Sequence, residues 1–598
     1  MKGLRMIGLR SARSQWRIRC GALAFVLLLA ASLAHGQPPS SDTRVLDRFD
    51  DLVAWKAVAS DGVSASIARV VEAKRPAMRL DFDLGGTAGY AIARRALPLD
   101  LPENYAITFW MRADAPVNDL QVKFVDASGD NVWWYDRPNF VFPGEWRQIT
   151  IKKRQIEFAW GPAKDHALRH VATIEIAVAA GSGGGHGAVY VSDLSMHELP
   201  SASTPWPPVK VRASSSQPSA GAERAVDGNV KTLWRSKAGP GREQWLSLDF
   251  GRPREFGGLV LTWGRNEYAS RYDVQFSDDG RKWRTVRRVT DGGAGRAALL
   301  LAESETRYLR LVLHEGPRRE YAVAELGVED LAFGASPNAF FEALARDAPR
   351  GHFPRGFSAQ QGAWTLVGVD GGRDTGLLSE DGALEVGKSG FTLEPFIVER
   401  GKVVTWADVE ARPFLVDDDL PMPGVQWTAA HWSLRITTFA TGTPDDVHLV
   451  ARYDLTNLTD QPLPLTLALA ARPFQVNPPA QFLNTLGGAS PIHDLAWDGG
   501  ALVVNGMHHV YPLAAPARIG LRPFDAGPLV PWLAAPQRLS RRDVHDEFGY
   551  ASGSLFFPAT VPAHQTATFG VVAPLSGDGA APVLGDRTPA QWLFREQA

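Results

Sequence analysis

The chain has 598 residues, a formal net charge of −2 at pH 7, 57 Gly, 42 Pro, 19 Trp and a single Cys. That length accommodates three or four domains. Dense Gly and Pro between short apolar alternations points to an all-β chain. One cysteine excludes a disulfide framework and thiolate metal clusters. A charge this close to neutral argues against nucleic-acid binding, which rests on phosphate neutralisation.

In chain order, Lys2, Arg5, Arg10, Arg13, Arg17 and Arg19 form a basic region ahead of the apolar run Cys20–Leu33, followed by Ala34-His35-Gly36. The run is too short to span a bilayer. Residues 1–36 therefore read as a signal peptide cleaved after Gly36, giving a secreted or periplasmic protein without a later membrane span. Its removal takes the charge to −8 and removes Cys20, so the mature chain has no thiol.

Residues 44–199 read as a first β-sandwich. Tyr105, Ile107, Phe109 and Met111 alternate in YAITFWM, Leu120, Val122 and Phe124 in LQVKF, and Ile174, Ile176 and Val178 in TIEIAV. Period two over several short segments is the sandwich pattern. In NVWWYDRPNF, Trp133, Trp134 and Tyr135 are consecutive, so the two tryptophans face opposite ways and one points outward. Together with Trp160 they are candidate sugar-stacking residues, weighed against a core role. Residues 200–208, rich in proline, read as a linker.

Residues 209–332 alternate again, at Leu246, Leu248, Phe250, then Tyr272, Val274, Phe276, then Leu309, Leu311, Leu313. TWGRNEYASRY places Trp263, Arg265, Asn266 and Tyr268 on one loop, the mixture of ring, guanidinium and amide that suits a sugar. Asp227-Gly228-Asn229 is turn chemistry that could either reverse the chain or wrap a hard cation. From Ser336, an N-cap with Pro337 at the first helical position, a helix should bury Phe340, Phe341 and Leu344 and stop before Pro349. Residues 336–576 read as a third, larger sandwich. TNLTDQP and Glu399-Arg400 should close hairpins, and 577–598 reads as a tail without a closing element.

The succession AVDGNVKTLWRS, QWLSLDFG, YDVQFSDDGRKW, RYLRLVL and VAELGVED resembles the discoidin (F5/8 type C) family over the whole second domain. The resemblance implies a galactose-binding-like jelly roll that, in bacteria, binds carbohydrate on secreted proteins. It also implies a structural Ca²⁺ held by Asp227, Thr232, the backbone of Asn229 and Glu325. The first domain looks like the jelly-roll carbohydrate-binding modules. WTLVGVDGG, GLLSEDGALEV, VTWADVE and ARPFQVNPPAQFL look like the β-supersandwich of glycoside hydrolases and phosphorylases with an (α/α)6 barrel.

The expected fold is therefore all-β, with two galactose-binding-like jelly-roll sandwiches followed by a larger β-supersandwich. The expected function is glycan or polysaccharide binding. A sandwich without its barrel should expose an apolar edge at Phe474, Val476, Pro478 and Phe482, and aim Arg472, Asn477 and Gln481 at a separately encoded barrel. Two alternatives stay open. One is an active glycoside hydrolase using Asp408 and Glu410, or Asp543, Asp546 and Glu547 beside His545. The other is a discoidin-type surface adhesin.

Overall fold

The computed structural model describes residues 43–597 except positions 87, 182, 202–204, 239–242, 419, 481–485, 536–540, 578 and 584–586. The signal segment, Gln481 and Phe482 lie outside the described residues. The chain forms two compact units that divide between Trp206 and Pro207.

The first unit is built from two antiparallel sheets. One runs Ser64–Glu72, Arg75–Asp83, His186–Glu198, Tyr105–Asp114, Arg147–Lys152, with Thr43–Asp47 also paired to His186–Glu198. The other runs Glu157–Trp160, Val132–Phe140, Asn118–Val125, His170–Ala179, Tyr90–Asp100, Trp55–Ala59. The alternating residues read from the sequence all point inward: the Tyr105, Leu120 and Ile174 series are buried in one shared core. Burial of one face of each sheet is what drives their stacking.

The second unit holds two sandwiches. A seven-stranded antiparallel sheet carries the long bent strands Gln244–Trp263 and Arg296–Glu315 over a core of Trp234, Phe256 and Tyr272. Beyond it, an eight-stranded and a nine-stranded sheet enclose a larger core around Trp427, Trp432 and Tyr453. The helix at Pro337–Arg346 forms as expected, with Ser336 Oγ accepting from the Ala339 amide at 3.1 Å and Phe340 and Phe341 buried. Arg400 and Gly401, both at positive φ, turn Thr392–Glu399 into Lys402–Val404.

Four expectations are corrected. TNLTDQP closes no hairpin: Asp446–Asn457 lies in the nine-stranded sheet and Leu463–Arg472 in the eight-stranded one. Fully buried Asn457 ties this crossover, its Nδ2 donating to Gln461 O at 2.8 Å and Val561 O at 2.9 Å. The 577–598 segment does have a closing element, the helix Pro589–Gln597, started by reciprocal bonds between Thr588 and Gln591. Its Trp592 and Leu593 bury against Phe439, Val450 and Val572 on the outer face of the nine-stranded sheet. Phe474, in turn, is no exposed edge. The helix Pro337–Arg346 covers it, and Phe341 meets it edge-on at 4.9 Å.

The same aromatic cluster joins the two sandwiches of this unit. Val260 and Phe333 from the first pack with Phe340, Phe341, Phe474 and Tyr550. Arg472, expected to aim at a missing cleft, is buried and bonded to Glu394 at 2.8 Å.

Candidate functional site

The two adjacent tryptophans of the first unit part company as strand geometry requires. Trp133 points inward, meets Phe158 edge-on at 5.3 Å and donates from Nε1 to His166 O at 2.6 Å. Tyr135 faces the same core. Both are structural, which corrects the expectation of sugar contact for them. Trp134 faces out.

Trp134 begins a row of outward residues that crosses the sheet. It pairs with Lys123, Lys123 with Glu175, Glu175 with Arg94, and Arg94 with Lys56. Residues opposite one another across strands share a face. Arg94 Nε donates to Glu175 Oε1 at 2.6 Å. Lys123 is only 7% exposed, its ammonium 5.3 Å from the Tyr90 ring and 5.4 Å from the Trp160 ring. Burial lowers its pKa, and Glu175 and Asp136 oppose that. One row along, Asp136 stands opposite Gln121, and Asp136 Oδ1 is buried without a partner. Burial raises the Asp136 pKa while Gln121 holds it down.

Trp160 arrives on this face by an irregularity. The register between Glu157–Trp160 and Val132–Phe140 shifts between Phe158 and Trp160. Strict alternation would turn both rings the same way; a bulge re-aims one of them. Trp160 therefore stands beside Trp134, edge-on at 5.6 Å, and is 47% exposed. Tyr90, Lys123, Glu175, Arg94 and Asp136 were not singled out from the sequence. The available signal was the polar half of the LQVKF and TIEIAV alternations, which puts Lys123 and Glu175 outward.

The loop of the second domain divides too. Trp263 is 4% exposed and packs edge-on against Tyr272 at 5.5 Å. It belongs to the core and offers no ring face, a correction to its expected role. Arg265 and Asn266 are exposed, Asn266 at a φ of 59° in the turn, and Tyr268 is half-buried. These three remain on the loop without Trp263.

The four expected cation ligands come together. Thr232 Oγ1 donates to Asp227 Oδ2 at 2.7 Å, and the Asn229 amide donates to Asp227 Oδ1 at 2.9 Å. Glu325, from the distant strand Ala322–Glu329, accepts from the Gly228 amide at 3.1 Å. The φ of 73° at Gly228 lets the backbone turn toward it. Burial raises the Glu325 pKa, and the nearby Asp227 charge adds to that. Every donor here is an oxygen and two are carboxylates, a set that fits a hard cation. Among the described residues no group of three or more His, Cys, Asp or Glu is placed to hold a metal.

The carboxylates considered for hydrolysis are dispersed. Asp408 caps a short helix by accepting from the Thr405 amide at 2.9 Å. Glu410 pairs with Arg412 on the surface. Asp546 is buried and accepts from the Phe524 and Phe548 amides, while Asp543, His545 and Glu547 are exposed.

Residues 210–326 match the F5/8 type C domain model, and this stretch is an F5/8 type C domain. No curated protein matches the chain. Among the solved structures to which parts of the chain are similar are carbohydrate-binding modules. One is chitosan-binding module 2 of a chitosanase/glucanase from Paenibacillus sp. IK-5 in complex with chitotriose. It is 25% identical over 20% of this chain and 95% of that one, with a TM-score of 0.19. Another is the family 11 module of the cellulosomal cellulase Lic26A-Cel5E of Clostridium thermocellum, 18% identical over 27% of this chain and 97% of that one, TM-score 0.23. A third is the family 32 module of C. perfringens NanJ in complex with galactose, 21% identical over 20% and 92%, TM-score 0.19. The chain is thus nearly all-β, and residues 210–326 form its F5/8 type C domain. No described helix is long and apolar enough to cross a membrane.

Proposed function

We propose that the protein binds glycan, and that its principal binding surface is the outward face of the first unit carrying Trp134, Trp160 and Tyr90. The observation behind this reading is the setting of Lys123. An ammonium is buried under two partly exposed rings, among the carboxylates of Glu175 and Asp136. A purely structural sheet face would place its aromatic rings inward and its charges in water. Here the order is reversed, with polar groups beneath and ring faces above. That arrangement suits a sugar: its C–H face lies on the rings while its hydroxyls reach the amide, ammonium and carboxylate groups. Glu175 stands between Lys123 and Arg94, and Asp136 lies one row along, so carboxylates are interspersed among the cations, which favours a neutral saccharide over a polyanion.

The F5/8 type C domain is proposed as a second carbohydrate-binding module, with Ca²⁺ held by Asp227, Asn229, Thr232 and Glu325. The cation would cross-link the Asp227 turn to the end strand, a structural role rather than a chemical one. The large sandwich is proposed as a glycosidase-type supersandwich acting as a non-catalytic scaffold. Export, read from residues 1–36, would bring the protein to extracellular or periplasmic glycans. Retardation of the full chain in gels containing soluble β-glucans, mannans, xylans, galactans or chitosan tests the reading. At least one should retard it, and Trp134→Ala with Trp160→Ala should weaken the effect sharply with the fold intact, while an unchanged retardation would overturn the reading. Sugar release from such a panel, lost on changing one carboxylate of 336–598, would instead establish a hydrolase.

A further inference from the structure

We propose that the large sandwich carries a further saccharide site, an end-on pocket that takes the terminal residue of a neutral glycan. Its residues are separate from the face of the first unit, so the two stand or fall independently.

A cavity of about 50 Å³ opens beside the eight-stranded sheet, lined in part by Trp364, Asp381, Glu394, Trp406 and Gln475. Two residues of this lining each have a buried polar atom without a partner, Trp406 at Nε1 and Gln475 at Oε1. The two residues are 7% and 6% exposed. The orientation of the Gln475 amide is fixed, because Nε2 donates to Leu486 O at 3.2 Å and Ala489 O at 3.0 Å. Its oxygen is left over. Nearly all buried polar groups in folded proteins are paired, and an exception points to something that completes the set.

A lone donor and a lone acceptor on two residues of one chamber call for a group that can both accept and donate. A hydroxyl does this; an ammonium has no acceptor and an ionised carboxylate has no donor. The charges agree. Asp381 is held on both oxygens by Arg355, at 2.5 and 3.0 Å, and Glu380 also lies 3.4 Å from that guanidinium group. Glu394 binds Arg472 at 2.8 Å and accepts from Thr392 Oγ1 at 2.9 Å. The lining itself carries three carboxylates, Glu380, Asp381 and Glu394, against the one guanidinium group of Arg355, a balance that disfavours an anionic ligand. An ammonium ligand would leave the Trp406 N–H unanswered. Trp364 keeps 38% of its surface exposed and supplies a ring face for the C–H side of a pyranose.

Size sets the mode of entry. A chamber of about 50 Å³ admits a hydroxymethyl group or one hydroxyl-bearing ring edge, not a sugar flanked on both sides. The pocket therefore reads a chain end, whereas the open sheet face of the first unit accommodates a chain interior.

The test uses the full chain with Trp134→Ala and Trp160→Ala, so that binding by the first unit is weakened, labelled with ¹⁵N at tryptophan. The probes are the methyl glycosides of glucose, galactose, mannose, xylose and N-acetylglucosamine at tens of millimolar. At least one should shift the Trp406 indole N–H signal, assigned by its loss in Trp406→Phe. Trp364→Ala, a change at a partly exposed ring, should weaken that binding about tenfold, equivalent to about 1.4 kcal/mol, with an unchanged melting temperature. If no glycoside moves the signal, the chamber holds water only and the proposal is wrong. A shift that survives Trp364→Ala at full affinity would also overturn it.

Discussion

Arg287 of the F5/8 type C domain and Asp525 of the large sandwich form an ion pair at 2.7 Å with both side chains nearly buried. The Arg287 guanidinium also lies 3.3 Å from the centre of the Phe548 ring. Around this pair the Gly293 amide donates to Asp525 O at 3.1 Å, and Arg541 bonds Asp291. The F5/8 domain is thus fused to its neighbour rather than tethered to it. Breaking a buried pair from one side leaves the other charge unanswered, which costs about 3–5 kcal/mol. Asp525→Ala should lower the melting temperature of the second unit and split its transition into two. A single unshifted transition in calorimetry would show that the pair contributes nothing to the union.

Trp133 and Trp134 should respond in opposite ways to truncation. Trp133→Ala opens a core cavity and removes the bond to His166 O, with a loss of about 3–5 kcal/mol. Trp134→Ala removes only an outward ring and should leave stability within about 0.5 kcal/mol, while glycan retardation weakens. Chemical denaturation and affinity electrophoresis on both variants check this. Equal destabilisation by both would place Trp134 in the core as well.

What the sequence disclosed follows from the range of each signal. The Tyr105 and Ile174 series were legible because burial of one sheet face imposes period two on neighbouring residues. Ser336-Pro337 was legible because caps are local chemistry. TNLTDQP was misread for the complementary reason: Asn and Asp build the same turn whether the next strand returns beside its partner or crosses to the other sheet, and the deciding bonds from Asn457 reach Val561. The helix Pro589–Gln597 was missed because its apolar anchor is two adjacent residues, Trp592 and Leu593, whose partners are far away in the chain. In the site, the Asp227 turn with Glu325 came through family resemblance, and the outward orientation of one of Trp133 and Trp134 through strand parity. The row Trp134, Lys123, Glu175, Arg94 needs four strands in register, which no local pattern encodes.

Acid should loosen both units through half-buried histidines, one in each. Burial lowers the pKa of His197 in the first unit and of His352 in the second below the ordinary value of 6.5. His197 sits between the hydroxyls of Thr43 and Thr108, at 2.9 and 2.8 Å. Below that ordinary value the unfolded chain binds protons that the folded chain refuses, so stability rises with pH in this window. The contribution is whole above about pH 6.5 and is lost as pH falls toward the folded-state values. Melting temperatures should be flat from about pH 8 to about pH 7 and then decline, and His197→Gln should blunt the decline of the first unit. A level profile down to about pH 5.5 would remove these histidines from the account.

Calcium should stabilise the second unit, and the geometry says through which residues. The Asp227 turn and Glu325 belong to segments almost a hundred positions apart, joined here by backbone bonds that include the Gly228 amide at 3.1 Å. A cation between them would add several oxygen contacts and offset the mutual repulsion of the two carboxylates. A ligand that binds only the folded state adds about 2.7 kcal/mol at a hundredfold excess over its Kd. Because the F5/8 domain shares a core with the large sandwich, the measurement belongs on the full chain. Calorimetry should show the second-unit transition rise with Ca²⁺ relative to EDTA, the first-unit transition stay fixed, and Asp227→Ala cancel the rise. A turn that merely reverses the chain gives a different result: Asp227→Ala then lowers the transition equally in Ca²⁺ and in EDTA, and wild-type protein melts alike in both.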